Sequence, residues 1–154
     1  MMKKVVLSWA VAAAWMAVIF MFSAQPAGAS NGLSNGVAEV LMSIVNLAYP
    51  LDMESSGAQS FIEQLNGSIR VLAHGAVYLV LALLVSNALS RSGSRGLKLI
   101  LYTMGICAFY AFTDEIHQLF VPGRACELSD FLADCFGAFT GSLLFLLRHR
   151  GTMR

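Results

Sequence analysis

The sequence predicts an all-α membrane protein: a four-helix transmembrane bundle with short interfacial helices in its first extracytoplasmic loop. Three observations predict it. Charged residues make up 12% of the 154 and hydrophobic residues 57%, where a soluble domain carries about a quarter charged. A water-facing surface with a mean hydropathy of +0.68 would expose large apolar patches and aggregate, whereas a lipid-facing one is stable. The chain also contains four apolar runs of the length a spanning helix needs, roughly 20 residues. Finally, its charges are sorted to alternate sides of those runs.

The spans fall at about 5–22, 71–89, 99–119 and 130–147 within a single domain covering 1–154. The first follows Lys3 and Lys4, and the second is bracketed by Arg70 and Arg91. The third is interrupted by Asp114 and Glu115; the fourth contains Asp134 and ends in Arg148-His149-Arg150. Lipid offers no partner to an open backbone group, so each run must be helical. On a four-span topology Lys3, Lys4, Arg91, Arg95, Lys98, Arg148, Arg150 and Arg154 share one side. Only Arg70 and Arg124 lie opposite, together with all nine acidic residues. Basic flanks stay inside, so a multi-pass protein of the cell membrane with both termini cytoplasmic is expected. Ala27-Gly28-Ala29 before Ser30 supplies a rival reading of the first run, as a secretory signal with an A-x-A site. The run exceeds the usual core of about 7–15 residues, which favours a retained helix.

Residues 26–69 are too polar to span and are expected to form an extracytoplasmic cap. Val37, Val40, Leu41, Ile44 and Val45 recur at helical spacing. Ser60 and Glu63 make a capping box for a second short helix carrying Phe61, Ile62 and Leu65. Three cysteines in no CxxC arrangement suggest neither a disulfide framework nor a zinc site. Basic clusters interleaved with aromatics are absent, so nucleic acid is not an expected partner.

Ionisable groups inside a span cost about 2.5–3.5 kcal/mol on insertion scales and face the bundle interior. Arg70, His74 and Tyr78 stack at four-residue intervals on one face of the second span. On the third, Tyr110, Asp114, His117 and Gln118 share a face with Glu115 rotated aside. The fourth carries Asp130 and Asp134 one turn apart, and Gly137 and Gly141 continue that face as a small-xxx-small packing groove. Pro122-Gly123 is a turn presenting Arg124. All these groups lie at one depth, near the non-cytoplasmic interface.

Phe22-Ser23-Ala24-Gln25, Arg70-x3-His74-x3-Tyr78, Tyr110-x3-Asp114-Glu115-x-His117-Gln118 and Gly123-Arg124-x5-Asp130 together resemble the VanZ-like family, in that family's order. The resemblance implies a small helical membrane protein. It also carries an association with low-level resistance to teicoplanin, a lipid-anchored glycopeptide. Ser23 and Gln25 belong to the pattern, so cleavage after Ala29 would discard part of it. One departure is Asp134, where the resemblance leads one to expect asparagine. The added carboxylate either strengthens cation binding or pairs with a basic group.

Three readings of the cluster stand side by side. In the first, Ser23, Gln25, Arg70, Tyr78, Tyr110, Gln118, Arg124, Asp130 and Asp134 bind a membrane lipid or lipid-linked envelope component, the arginines holding its phosphate or carboxylate. In the second, the protein is an enzyme with His117 or His74 as general base, oriented by Asp114 or Glu115. A divalent metal on Asp114, His117, Asp130 and Asp134 is a variant of that reading. In the third, the polar belt only holds the bundle together. The sequence identifies no cofactor and sets no oligomeric state.

Overall fold

The computed structural model describes residues 2–26 and 56–149, with Gly36, Val40 and Ser43 between them. Four helices run in order: α1 (Met2–Ser23), α2 (Ser56–Arg91), α3 (Gly96–Gln118) and α4 (Leu128–His149). Each contains a stretch long and apolar enough to cross a membrane, and no strand occurs among the described residues. Each helix extends a little beyond its apolar run, because backbone hydrogen bonding continues into the flanking polar residues. The Ala27-Gly28-Ala29 sequence and the 37–45 stretch lie outside the described residues, apart from Val40 and Ser43, which are helical.

Helix α2 departs most from its predicted bounds. At 36 residues it is about 54 Å long, at about 1.5 Å per residue, whereas the hydrocarbon core is about 30 Å thick. Residues 60–65 are therefore not a separate capped helix. Ser60 stands inside α2, which starts four residues earlier. No proline separates this polar turn from the apolar run, so nothing breaks the helix at Arg70.

The surface and core are inverted relative to a soluble bundle. Phe109, Phe112, Leu132, Phe136 and Phe139 are exposed on the outside, where lipid would cover them. The interior holds Tyr78, Leu81, Val85, Leu99 and Cys107, but also Asp114, Glu115, Gln118, Asp130 and Asp134. Further down, Ser86 and Thr103 share a buried hydrogen bond of 3.0 Å between α2 and α3. Trp15 Nε1 donates to Val77 O at 3.1 Å and Tyr110 OH to Met16 O at 2.6 Å. These two bonds dock α1 onto α2 and α3. Each uses a carbonyl already accepting within its helix, and neither leaves an amide or hydroxyl stranded in apolar surroundings.

Helix α2 is the hub: it packs against α1, α3 and α4, while α4 packs on α2 and α3. Consecutive helices are antiparallel, so α2 and α4 run parallel, and theirs is the most extensive contact of the bundle. Glycine makes it so. A Cβ built on Gly137 would fall onto the backbone of Gly75, and one on Gly141 onto the carbonyl of Leu79. The groove expected from Gly137 and Gly141 is thus filled by the backbone of α2 itself. Such close approach maximises dispersion contact where lipid supplies no hydrophobic drive between helices.

The side chain that this crossing forbids is testable. Gly137→Ala forces backbone apart and should lower stability by about 1–3 kcal/mol, the usual range for overpacking. Gly105→Ala, where nothing lies within 4 Å of the added carbon, should leave the melting temperature unchanged or raise it. Thermal unfolding of the two purified variants in detergent compares them directly.

Candidate functional site

The carboxylate-bearing end of the bundle is assembled by the parallel pairing of α2 with α4. Arg70 and His74 on α2 face Asp130 and Asp134 on α4, each pair separated by 60 residues. Because both helices advance in the same direction, a four-residue step on one matches a four-residue step on the other. The result is a two-rung ladder. On the upper rung, Arg70 Nε and Nη2 donate to Asp130 Oδ2 at 3.0 and 2.6 Å, and Nη2 also reaches Glu127 Oε1 at 2.8 Å. On the lower rung, His74 Nδ1 lies 3.2 Å from Asp134 Oδ1, while its Nε2 lies 3.6 Å from Asp130 Oδ2. One imidazole therefore sits between two fully buried carboxylates.

Helix α3 adds Asp114, Glu115 and Gln118, all buried. The helical-wheel expectation that Glu115 is turned aside does not hold, for α3 packs on both α2 and α4 and its buried arc is correspondingly wide. Cys107, Ala111, Asp114, Glu115 and Gln118 occupy that arc. It is His117 that sits at the flank, its ring against Phe20 of α1 with centroids 4.5 Å apart. Glu115 Oε2 accepts the backbone N–H of Glu127 at 2.9 Å. That bond ties the end of α3 to the loop leading into α4. Ser23 and Gln118 lean toward the Asp114 carboxylate without completing a hydrogen bond to it.

Arg124 follows the Pro122-Gly123 turn, which is real. Arg124 N donates to Val121 O at 3.1 Å, and Gly123 has φ +75°. Proline at the second position and positive φ at the third make a type II turn, which demands glycine at the third. The turn aims the guanidinium at the end of α1, where Nε donates to Gln25 O at 3.2 Å and Nη2 to Phe22 O at 3.4 Å. Burial holds the Arg124 guanidinium below its usual range, and the like charge of Arg70 adds to the effect.

Between α1, α2 and the end of α3 lies a cavity of about 350 Å³. Its apolar wall comes from residues such as Ile19, Phe22, Ile69 and Val77; its polar wall from Arg70, His74, Asp114, Gln118 and Arg124. Ser23, Gln25 and Tyr78 line it as well. Of the residues singled out from sequence, Asp130 and Asp134 stand behind this wall and reach it through Arg70 and His74. Glu115 is also behind it, and His117 and Tyr110 are spent on α1. Sequence reasoning gave no role to Glu127, which holds both Arg70 and Glu115. Its position three residues before Asp130, at the entrance to α4, is the signal that marks it.

Several buried polar atoms here make no hydrogen bond: Tyr78 OH, both side-chain ends of Gln118, Glu115 Oε1, Asp130 Oδ1 and Asp134 Oδ2. Folded proteins leave few such atoms. Among the described residues, these atoms lie on or behind the polar wall of the cavity. Chemically, the arrangement offers two guanidinium groups for an anion, carboxylates and an amide for hydroxyls or a cation, and an apolar flank for a chain.

Neither the curated proteins nor the solved structures contain a match to this chain. The model of the VanZ/LLP1 family matches residues 8–149, nearly the whole length. With four membrane-capable helices and that match, the chain is a multi-pass membrane protein belonging to the VanZ/LLP1 family.

Proposed function

We propose that this protein binds an amphiphilic component of the cell envelope, with the anionic head group in the cavity and the apolar chain along its open flank. The observation that carries the reading is the pair Arg70 and Arg124 lining a cavity that Ile19, Phe22, Ile69 and Val77 also line. Arg70 is already matched by Asp130 and Glu127. Among the described residues, Arg124 has two backbone carbonyls, at 3.2 and 3.4 Å, and it feels the repulsion of Arg70. A phosphate or carboxylate between them would relieve that repulsion and exchange weak neutral acceptors for charge-assisted bonds. Gln118, Ser23 and Asp114 would then take the hydroxyl or amine groups of the head.

Charge sorting supports an assignment of this cavity to one side of the membrane. The basic flanks lie at the other end of the bundle, where Lys4 and Arg91 border a common recess. By the positive-inside rule the cavity opens toward the non-cytoplasmic leaflet of the cell membrane, and both termini are cytoplasmic. A site there is placed to meet lipids and lipid-linked wall intermediates. An effect on a lipid-anchored glycopeptide such as teicoplanin follows as an envelope phenotype of that binding.

Two experiments test this. Cys126 is exposed, outside the spans and at the cavity end, whereas Cys107 is buried and Cys135 partly so. A membrane-impermeant maleimide should label Cys126 in intact cells, with loss of labelling in Cys126→Ser. Labelling only after permeabilisation would reverse the orientation. In the second, anionic phosphatidylglycerol is titrated against the purified protein in neutral detergent, with phosphatidylcholine as reference. Hydrogen bonds to charged groups contribute about 1.5–3 kcal/mol, so Arg124→Gln should weaken anionic-lipid binding about 10-fold or more. Equal affinity of wild type and variant, with both still folded, would remove the proposal.

A further inference from the structure

We infer that His74, Glu115 and Asp134 form a binding site for a divalent transition-metal cation behind the polar wall of the cavity. Three ligand atoms, one from each residue, lie within 4.8 Å of one another, contributed by three different helices. His74 is partly buried, Glu115 is 2% exposed and Asp134 is 0% exposed. An imidazole nitrogen with carboxylate oxygens is a donor set suited to zinc, manganese or iron(II).

Geometry first supports the ion. His74 Nδ1 and Asp134 Oδ1 are 3.2 Å apart. Two ligands each about 2.1 Å from one ion stand about 3.0–3.4 Å apart, so this pair is already spaced as neighbours on a shared metal. The other ring nitrogen faces Asp130 at 3.6 Å, and Asp130 is fixed in turn by Arg70 at 2.6 Å. A carboxylate on the far nitrogen of a ligating histidine is the usual outer support of such sites. Glu115 has an equivalent support, the Glu127 N–H on Oε2. That bond occupies one oxygen, while Oε1 makes no hydrogen bond, nor does Asp134 Oδ2. Glu115 is thus held by one oxygen, Asp134 Oδ1 is spaced for the ion, and the second oxygen of each is buried without a hydrogen bond among the described residues.

Charge supplies an independent argument. Asp114, Glu115, Asp130 and Asp134 are all buried at this end. Arg70 is taken by Asp130 and Glu127, and Arg124 by two carbonyls of α1. Residues 27–55 contain no lysine, arginine or histidine, so that segment brings no further cation. His74 faces Asp134 and Asp130, but Asp114 and Glu115 have no ion-pair partner among the described residues. Buried carboxylates without a counter-charge are costly, and a divalent ion would supply the missing positive charge. Asp134 provides the carboxylate that completes the set.

This site deepens the head-group reading, because His74 belongs to both the triad and the cavity wall. Held by His74, an ion there would lie next to the cavity and could add a Lewis-acidic contact to an anion bound by Arg124. The site itself does not depend on that reading.

The test uses the full-length protein purified in detergent, stripped with chelator and titrated with Zn²⁺ or Mn²⁺ by calorimetry. Saturable binding of one ion per chain is expected. Glu115→Gln and Asp134→Asn should each weaken it by more than about 100-fold, and Asp130→Asn by about 10–100-fold, as for an outer support. Co²⁺ added to the stripped wild type should give d–d absorption of a nitrogen–oxygen site, which decides the matter even where a variant fails to fold. Arg124→Gln should keep its metal affinity while losing anionic lipid, so failure of the head-group reading and failure of the metal site give different patterns. Absence of saturable binding and of a cobalt spectrum in the wild type would overturn the proposal, as would undiminished affinity in both ligand variants.

Discussion

Everything at the polar end of this bundle depends on the close parallel crossing of α2 and α4. Gly137 meets the backbone of Gly75, and Gly141 meets that of Leu79. With no side chain between them, the helices are near enough for short groups to bridge. Aspartate has one methylene, and from α4 it reaches an arginine and a histidine on α2 at 2.6–3.2 Å. Parallel direction then sets the register. Arg70 with Asp130 and His74 with Asp134 share one sequence offset, so one crossing satisfies two rungs at once. An antiparallel pair would reverse the order and put Arg70 opposite Asp134. Packing therefore comes before chemistry here: small residues lower in the membrane determine which acid each base receives.

The charges gathered by that crossing do not cancel. Bringing a carboxylate out of water costs several kcal/mol even after relaxation, and four of them are buried within one end of the bundle. A polar belt acting only as glue would pair each with a cation or saturate each oxygen with donors. Asp130 comes near to this, with Arg70 on one oxygen. Asp114 and Glu115 do not, and Tyr78 and Gln118 bury further polar atoms beside them without using them. Among the described residues, an excess of acceptors thus lies near an arginine held by carbonyl groups, which is what the binding proposal rests on. That contrast favours the binding proposal over a belt of structural ion pairs.

Much of this was legible before any coordinates. Helices had to form because apolar runs in lipid leave no other way to satisfy the backbone. Four-residue spacing was enough to put Arg70, His74 and Tyr78 on one face, and the small residues at 137 and 141 revealed the groove. What sequence could not give was the identity of the neighbour. Periodicity locates a side chain around its own helix axis, not relative to the next helix. Glu115 is buried because α3 lies against two helices at once, and His117 is at the flank because α1 offers it Phe20. The length of α2 was hidden for a related reason. Hydropathy ends where the lipid ends, but a helix ends only where its backbone is broken, and nothing breaks α2 between Ser56 and Arg91.

The four helices divide the work unequally. The core of α2, α3 and α4 carries the buried acids, both rungs and the glycine crossing. Helix α1 contributes no ionised group to the cavity. Its attachments are the Trp15 and Tyr110 bonds to backbone carbonyls, the two Arg124 contacts at its C-terminal end, and apolar packing. Yet α1 closes the cavity, through Ile19, Phe22, Ser23 and Gln25. An amphiphile entering from lipid needs a wall that can yield without disturbing the charged core, because any shift of α2 against α4 would break two buried ion pairs together. Movement of α1 breaks none of them. Arg124 clasps α1 and its end through Phe22 O and Gln25 O, so under the head-group proposal taking up an anion would loosen that clasp as the cavity is filled. On the proposed reading, binding and access would be coupled through that one guanidinium, which is held by two neutral carbonyl acceptors.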